Sequence, residues 1–336
     1  MSPARILPVS ADHPDPATLA EAAALLRQGG LVAFPTETVY GLGANALDAT
    51  AVARIFSAKG RPATNPVIAH VATTAEARRL VTAWPEEARQ LAEAFWPGPL
   101  TLVLPRADAV PDIVTAGAPA VAVRIPGHPV ALALIAAAGV PVAAPSANRS
   151  SGVSPTTADH VAKGLGDRVD LILDGGPTGV GIESTVVDLT GRRPVVLRPG
   201  PISPAALADV VGPLGERPRP EVGAPLLSPG LLDRHYAPRA RLRLFLPAER
   251  AGLAAELEEA ASRGLVVGGL LLGSDLPGRH MLQMPSDPAG YARALYAALH
   301  QLDDLHCDLI AVEMVPPDLL WGGVRDRLVR AATPEA

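Results

Sequence analysis

LVAFPTETVYGLGANALDATAVARIFSAKGRPATNPVIAHV, Leu31 to Val71, contains a change of period that decides the fold. Leu31 to Phe34 is a short apolar run behind Gly29 and Gly30, the pattern of a buried strand, and it ends at Pro35 in a polar, glycine-containing turn. From Asp48 the spacing becomes helical. Asp48 serves as the cap, Val52, Ile55 and Phe56 form the buried stripe, and Gly60 after Lys59 is the stop. Arg61, Pro62, Asn65 and Pro66 follow, and then a second strand, Val67 to Val71, which puts Ile68 and His70 on one face.

Lys59 is one of only two lysines in the chain, the other being Lys163. A Lys-x-Arg pair held by a helix stop and two prolines suits a polyanion, Lys as a point charge and Arg as a planar fork. Two cations at a helix C-terminus also simply complement its dipole. The surrounding hydroxyl and amide groups, Thr36, Thr38, Tyr40, Asn45, Thr64 and Asn65, favour a ligand cleft, because loops between strands and helices aim such groups together.

Working outward, the 336 residues give room for two domains, each with its own core. A hydrophobic content of 48% excludes a disordered chain, and a net charge of -5 argues against non-specific nucleic-acid binding. Aromatics at 3% leave little for base stacking. Cys307, the one cysteine, cannot form an internal disulfide and reads as a buried strand thiol. The longest uncharged run, Pro129 to Ser146, is broken by Gly139, Pro141 and Pro145, and a membrane helix needs roughly 20 apolar residues. With no charged-then-apolar leader at the N-terminus, the expectation is a soluble cytoplasmic protein.

Residues 1 to 17 are proline-rich and read as irregular, and Thr18 to Arg27 as an amphipathic helix. Strands over Leu100 to Leu104, Ala120 to Ile125 and Val140 to Ala144 alternate with helices, which indicates an α/β domain. Two loops of small residues, Pro145 to Thr156 and Asp174 to Thr185, stand at strand ends where backbone N–H groups and hydroxyls can meet phosphate oxygens. Each alone is a solvated turn; two together favour a ligand site. Val195 to Arg198 is a short strand ending in a cation.

From Gly212 to Pro238 six prolines mark a linker, and its Arg234-His235-Tyr236-Ala237-Pro238 cluster suggests a lid. Residues 239–336 then alternate strand and helix as a smaller α/β unit with a parallel sheet, giving domains 1–211 and 239–336 around the linker 212–238.

The chain has no Walker A sequence, no nucleophile elbow and no zinc-ligand spacing. Gly41-Leu-Gly-Ala-Asn-Ala46 fits a relaxed dinucleotide fingerprint, but Pro35 to Tyr40 intervene after the strand, and Lys59 and Arg61 occupy the region where an acidic residue belongs. A nicotinamide oxidoreductase remains a minor alternative. What is left is a cleft with cations at Lys59, Arg61, Arg124 and Arg198, hydroxyls at Thr38, Ser146, Ser154 and Ser184, and His70, suited to a nucleoside triphosphate together with a small carboxylate.

Pro-Thr-Glu-Thr-Val-Tyr-Gly-Leu-Gly followed by Lys-Gly-Arg-Pro-x-x-Asn-Pro resembles the YrdC-type threonylcarbamoyl-AMP synthases, in the two-domain form, over nearly the whole chain. The resemblance implies a YrdC-like twisted mixed sheet with helices plus a smaller Rossmann-like parallel α/β domain. It implies a nucleotidyltransferase that makes L-threonylcarbamoyladenylate and pyrophosphate from L-threonine, bicarbonate or CO2, and ATP with Mg2+. A tRNA threonylcarbamoyl-transferase complex would take the product to the adenosine beside the anticodon, with no stable tRNA binding and no membrane. Carried over by motif, threonine would meet Thr38, His70, Arg124, Ala144 and Ser184. ATP would meet Lys59, Arg61, Asn65, Ala120, Ser146, Ser154, Arg198 and Tyr236, with Lys59 and Arg61 catalytic. Ala120 stands where relatives often carry a hydroxyl, so its contact would come from the backbone.

Overall fold

The structure, a computed structural model, describes residues 4–216, 228, 235–273 and 275–333. Two units divide the chain. The first takes in the described residues up to Ser150, then Pro155–Gly179 and those from Glu183 to Leu231; the second takes in Ser151–Ser154, Val180–Ile182 and those from Leu232 onward. Most of the proline-rich stretch 212–238, Arg234 included, lies outside the described residues, and so does the bulk of the expected lid.

The first unit is built on strands β1 (Arg5–Pro8), β2 (Val32–Phe34), β3 (Gly41–Asn45), β4 (Ile68–His70), β5 (Leu100–Pro105), β6 (Ala120–Arg124), β7 (Val142–Ala143), β8 (Leu171–Asp174), β9 (Thr185–Asp188) and β10 (Val195–Arg198). They form one mixed sheet in the order β1-β8-β2-β3-β7-β4-β6-β5-β9-β10. The pleat separates its two faces. Ala33, Leu42, Ala69, Leu102, Val121, Val123, Ala143 and Val187 point to one core, shared with Val52, Ile55 and Phe56 of the helix Ala49–Lys59. On the other face the helices Pro16–Arg27 and Pro129–Ala138 pack with Val32, Phe34, Val142 and Leu171. Beyond them on that face lies a small cluster of Ile68, Val103, Ala120, Ala122, Val186 and Leu197. His70 and Arg124 share its pleat parity, two residues on from Ile68 and Ala122, so polar groups stand where helices cover the neighbouring strands.

The helix Ala49–Lys59 starts and stops where its residues dictate. Asp48 Oδ1 accepts from Thr50 N at 2.8 Å and Ala51 N at 3.2 Å, a cap of about 1 kcal/mol. Gly60 ends it in the left-handed region at φ 62°, a conformation that costs a residue with a Cβ.

One expectation is corrected and one alternative loses its basis. Residues 1 to 17 are not wholly irregular, because Arg5–Pro8 pairs parallel with Leu171–Asp174; as the outermost strand, β1 tolerates Pro8, whose nitrogen cannot donate. Gly41 and Gly43 are not a phosphate turn but part of β3, antiparallel to β2. A Cβ on Gly43 would stand 2.8 Å from Phe34 and 2.9 Å from Val142, so this glycine serves close strand packing, and the dinucleotide alternative loses its fingerprint.

The second unit carries β11 (Arg241–Phe245), β12 (Val267–Leu271), β13 (His280–Gln283) and β14 (Leu309–Glu313), all parallel, in the order β11-β14-β12-β13. β13 escaped the sequence analysis, since His-Met-Leu-Gln has neither length nor alternation. Cys307 is buried in the turn before β14 rather than within it, and burial, then Asp303 and Asp308, push its thiol up.

Candidate functional site

Lys59 ends its helix with the side chain buried against the first small-residue loop. Its Nζ donates to Ser146 O at 2.6 Å, to Asn148 O, and at 3.4 Å to Asn148 Oδ1, while Ser150 N donates back to Lys59 O at 2.9 Å. Burial, then the neighbouring Arg61, push the Lys59 pKa down, and Glu183 pushes it up. The three acceptor oxygens also oppose the fall, because they match the three protons of an ammonium. Ser146 Oγ donates to Asn148 Oδ1 at 2.6 Å, and Ala147 N to Tyr40 O at 2.8 Å, so the loop is also fixed to the residue before β3. Arg61 folds its own loop: Nε donates to Asn65 O at 3.0 Å, and Nη2 to Asn65 Oδ1 at 2.6 Å and Pro66 O at 2.7 Å. Asn65 Nδ2 is buried without a partner among the described residues.

Around Arg124, at the end of β6, two loops converge. Its Nε donates to Gly98 O at 3.2 Å, and its Nη2 to Glu37 Oε1 at 2.7 Å and Thr38 Oγ1 at 3.0 Å. Thr36 Oγ1 donates to Val39 O at 2.6 Å, which leaves the Thr38 hydroxyl to donate to Thr36 at 2.8 Å. His70 pairs with Arg124 in the β4–β6 register. Burial, then Arg124, hold the His70 pKa down to about 3, so its ring is neutral, and Nδ1 has no partner among the described residues.

Ser184 precedes β9. Thr101 Oγ1 lies 2.8 Å from Ser184 Oγ, and Arg198 donates from Nη2 to that hydroxyl at 3.0 Å and from Nε to Ser184 O at 3.1 Å. Ala144 N donates to Ile68 O at 2.9 Å, tying the second predicted threonine segment to β4. The first unit thus joins Lys59 to Ser146, Thr38 to Arg124, and Ser184 to Arg198, with His70 and Ala144 between the first two groups. Ala120 is buried in the apolar cluster with Ile68 and Ala122.

Ser154 and Tyr236 belong to the second unit. There Ser154 O meets His300 Nε2 at 3.1 Å, and the Tyr236 ring stacks on Tyr296 at 5.9 Å beneath the Arg327 guanidinium at 5.1 Å.

Two members of the predicted cleft set are used elsewhere, and a third is exposed. The Tyr40 hydroxyl donates to Gly176 O at 2.7 Å, with its pKa raised by burial and then by Asp174. Asn45 Oδ1 accepts from Leu47 N at 3.0 Å in a local turn, and Thr64 is exposed. Conversely, Glu37, Thr101 and Asn148 went unselected in the sequence. Glu37 carried a signal: it is an acid between two threonines in a stretch read as anion-binding. Asn148 sits two residues after Ser146 in a loop already singled out.

The Sua5, YciO and YrdC family model, described as "Telomere recombination", matches residues 24–200, and the model for the "Threonylcarbamoyl-AMP synthase, C-terminal domain" matches residues 202–333. The chain is 44% identical to the threonylcarbamoyl-AMP synthase of Pyrococcus abyssi, covering 93% of each chain. It is 42% identical to that of Bacillus subtilis, covering 94% of this chain and 92% of the relative. The crystal structure of P. abyssi Sua5 complexed with L-threonine superimposes with a TM-score of 0.91 at 41% identity, covering 97% of each chain.

Proposed function

Because the chain belongs to the threonylcarbamoyl-AMP synthase family, we propose that it joins L-threonine, bicarbonate or CO2, and ATP into threonylcarbamoyl-AMP and pyrophosphate, for modification of tRNA beside the anticodon. The observation that carries this is the bond from Lys59 Nζ to Ser146 O, which brings the Lys-x-Arg segment and the small-residue loop to one place. Had they stood on opposite sides of the sheet, no triphosphate could have met both.

The residues act by holding reactants rather than by covalent catalysis. Arg124 spends Nε and Nη2 on protein oxygens and keeps Nη1 for the threonine carboxylate. The threonine ammonium releases a proton to water, its nitrogen attacks carbon dioxide and releases a second proton to give the carbamate, and a carbamate oxygen then attacks the α-phosphorus as pyrophosphate leaves. Lys59, Arg61 and Arg198 supply positive charge for the phosphates, and Ser146 and Ser184 supply hydroxyls. Magnesium enters as the counter-ion of ATP, as part of the substrate, held mainly by phosphate oxygens and water. Among the described residues no helix is long and apolar enough to cross a membrane. The product would pass, in the cytoplasm, to a tRNA-modifying transferase complex. The test is pyrophosphate release from ATP in bicarbonate buffer. Release that requires L-threonine is expected; release indifferent to threonine, or none, overturns the assignment.

A further inference from the structure

Glu37 has one carboxylate oxygen committed and one idle. Oε1 accepts from Arg124 Nη2 at 2.7 Å, while Oε2 is buried with no hydrogen-bond partner among the described residues. A buried acceptor left unpaired is costly, and more so when it is charged. The side chain is fixed where it stands. A Cβ on Gly127 would lie 3.4 Å from the Glu37 carboxyl carbon and 3.3 Å from the Gly98 Cα, so the glycine backbones wall it in, and Gly98 O also accepts from Arg124. His128 stands close enough for Glu37 to pull its pKa up against the larger lowering by burial.

Two more polar atoms beside the same guanidinium have no partner among the described residues: Arg124 Nη1, and His70 Nδ1, across the β4–β6 register. A fork end, an anionic acceptor and a neutral imidazole nitrogen are complementary to a carboxylate, an ammonium and a hydroxyl. We propose that Glu37 is the specificity residue that recognises the α-ammonium of the amino-acid substrate through Oε2, so that the Glu37–Arg124 pair reads both charges of the zwitterion. This deepens the synthase assignment and rests on it. The same carboxylate disfavours the anionic carbamate once it forms, which turns the new group away from Glu37 and toward the cations.

The experiment compares, by calorimetry, binding of L-threonine and of (R)-3-hydroxybutanoate, which keeps the carboxylate and hydroxyl but lacks the amine. The wild-type protein is expected to favour threonine by about 30-fold or more, as a buried charge pair supplies. Glu37→Gln, which keeps the bond to Arg124 but puts an N–H donor at Oε2, is expected to shrink that preference to about threefold. Glu37→Asp is expected to retain part of it. Parallel loss of both ligands in Glu37→Gln would make the residue a scaffold for Arg124 and overturn the proposal. So would an unchanged ratio, or a wild-type protein that binds the two ligands equally, which needs no variant. Threonine-dependent pyrophosphate release by the wild-type protein is measured alongside, so failure of the assignment and failure of this proposal give different results.

Discussion

Arg124 and Arg327 are both buried guanidiniums, one in each unit, and their partners differ. Arg327 pairs with Asp326 Oδ2 at 2.9 Å while Asp326 Oδ1 accepts from Arg330 at 3.1 Å, so both oxygens of that carboxylate are used, and the guanidinium also covers the Tyr236 ring. Among the described residues, Arg124 faces a carboxylate with one oxygen unused, beside a histidine with an idle nitrogen. Burial and ion pairing are common to both. An unfinished set of partners is what separates a place made for a ligand from a structural staple.

The sharpest way to break this contrast is Arg124→Ala. It should raise the threonine KM about a hundredfold, and it should cost about 3–5 kcal/mol of stability because it strands the Glu37 charge. Steady-state pyrophosphate release and denaturant titration measure the two effects. Adding Glu37→Gln should recover most of the stability and none of the threonine affinity; recovery of both would make the pair a staple like the other.

A middle-sized effect belongs to His70. Folded, it stays neutral down to about pH 3, whereas unfolded it takes a proton below about 6.5. The unfolded state therefore binds more protons between those values, and stability falls as pH is lowered through that window. Between pH 6.5 and 5 the wild-type protein should lose about 1.5 kcal/mol more than His70→Gln, read from denaturation midpoints; equal losses would mean that the ring titrates normally.

Smallest is Arg327→Met. Asp326 keeps Arg330, and the thioether fills much of the space, so the cost should be about 1–2 kcal/mol, mainly the lost contact with the Tyr236 ring, and the threonine KM should not move. A loss as large as that of Arg124→Ala would erase the distinction.

Much of this was legible in the chain. Asp48, the Val52, Ile55 and Phe56 stripe, and Gly60 fix their helix by local chemistry, and the joining of Lys59 with Ser146 follows from motifs at strand ends. Glu37 was marked only as an acid between two threonines, and its role was not legible, because that depends on Arg124, 87 residues away, and on glycine backbones that enclose it. The role of Gly43 was hidden for the same reason: whether a glycine admits a phosphate or a neighbouring strand is settled by Phe34 and Val142, not by the Gly-x-Gly spacing. Tyr40 and Asn45 were misassigned because a hydroxyl or amide serves equally well to anchor a loop.

The way Lys59 is held bears on self-damage. A mixed anhydride acylates free amines, and an enzyme that makes one risks modifying itself. This chain carries only two lysines, one on the surface beside Asp159 and the other with its nitrogen engaged by three oxygens of the 146–148 loop. A buried nitrogen so engaged is shielded from the approach of an electrophile, which lets the lysine outlast many turnovers.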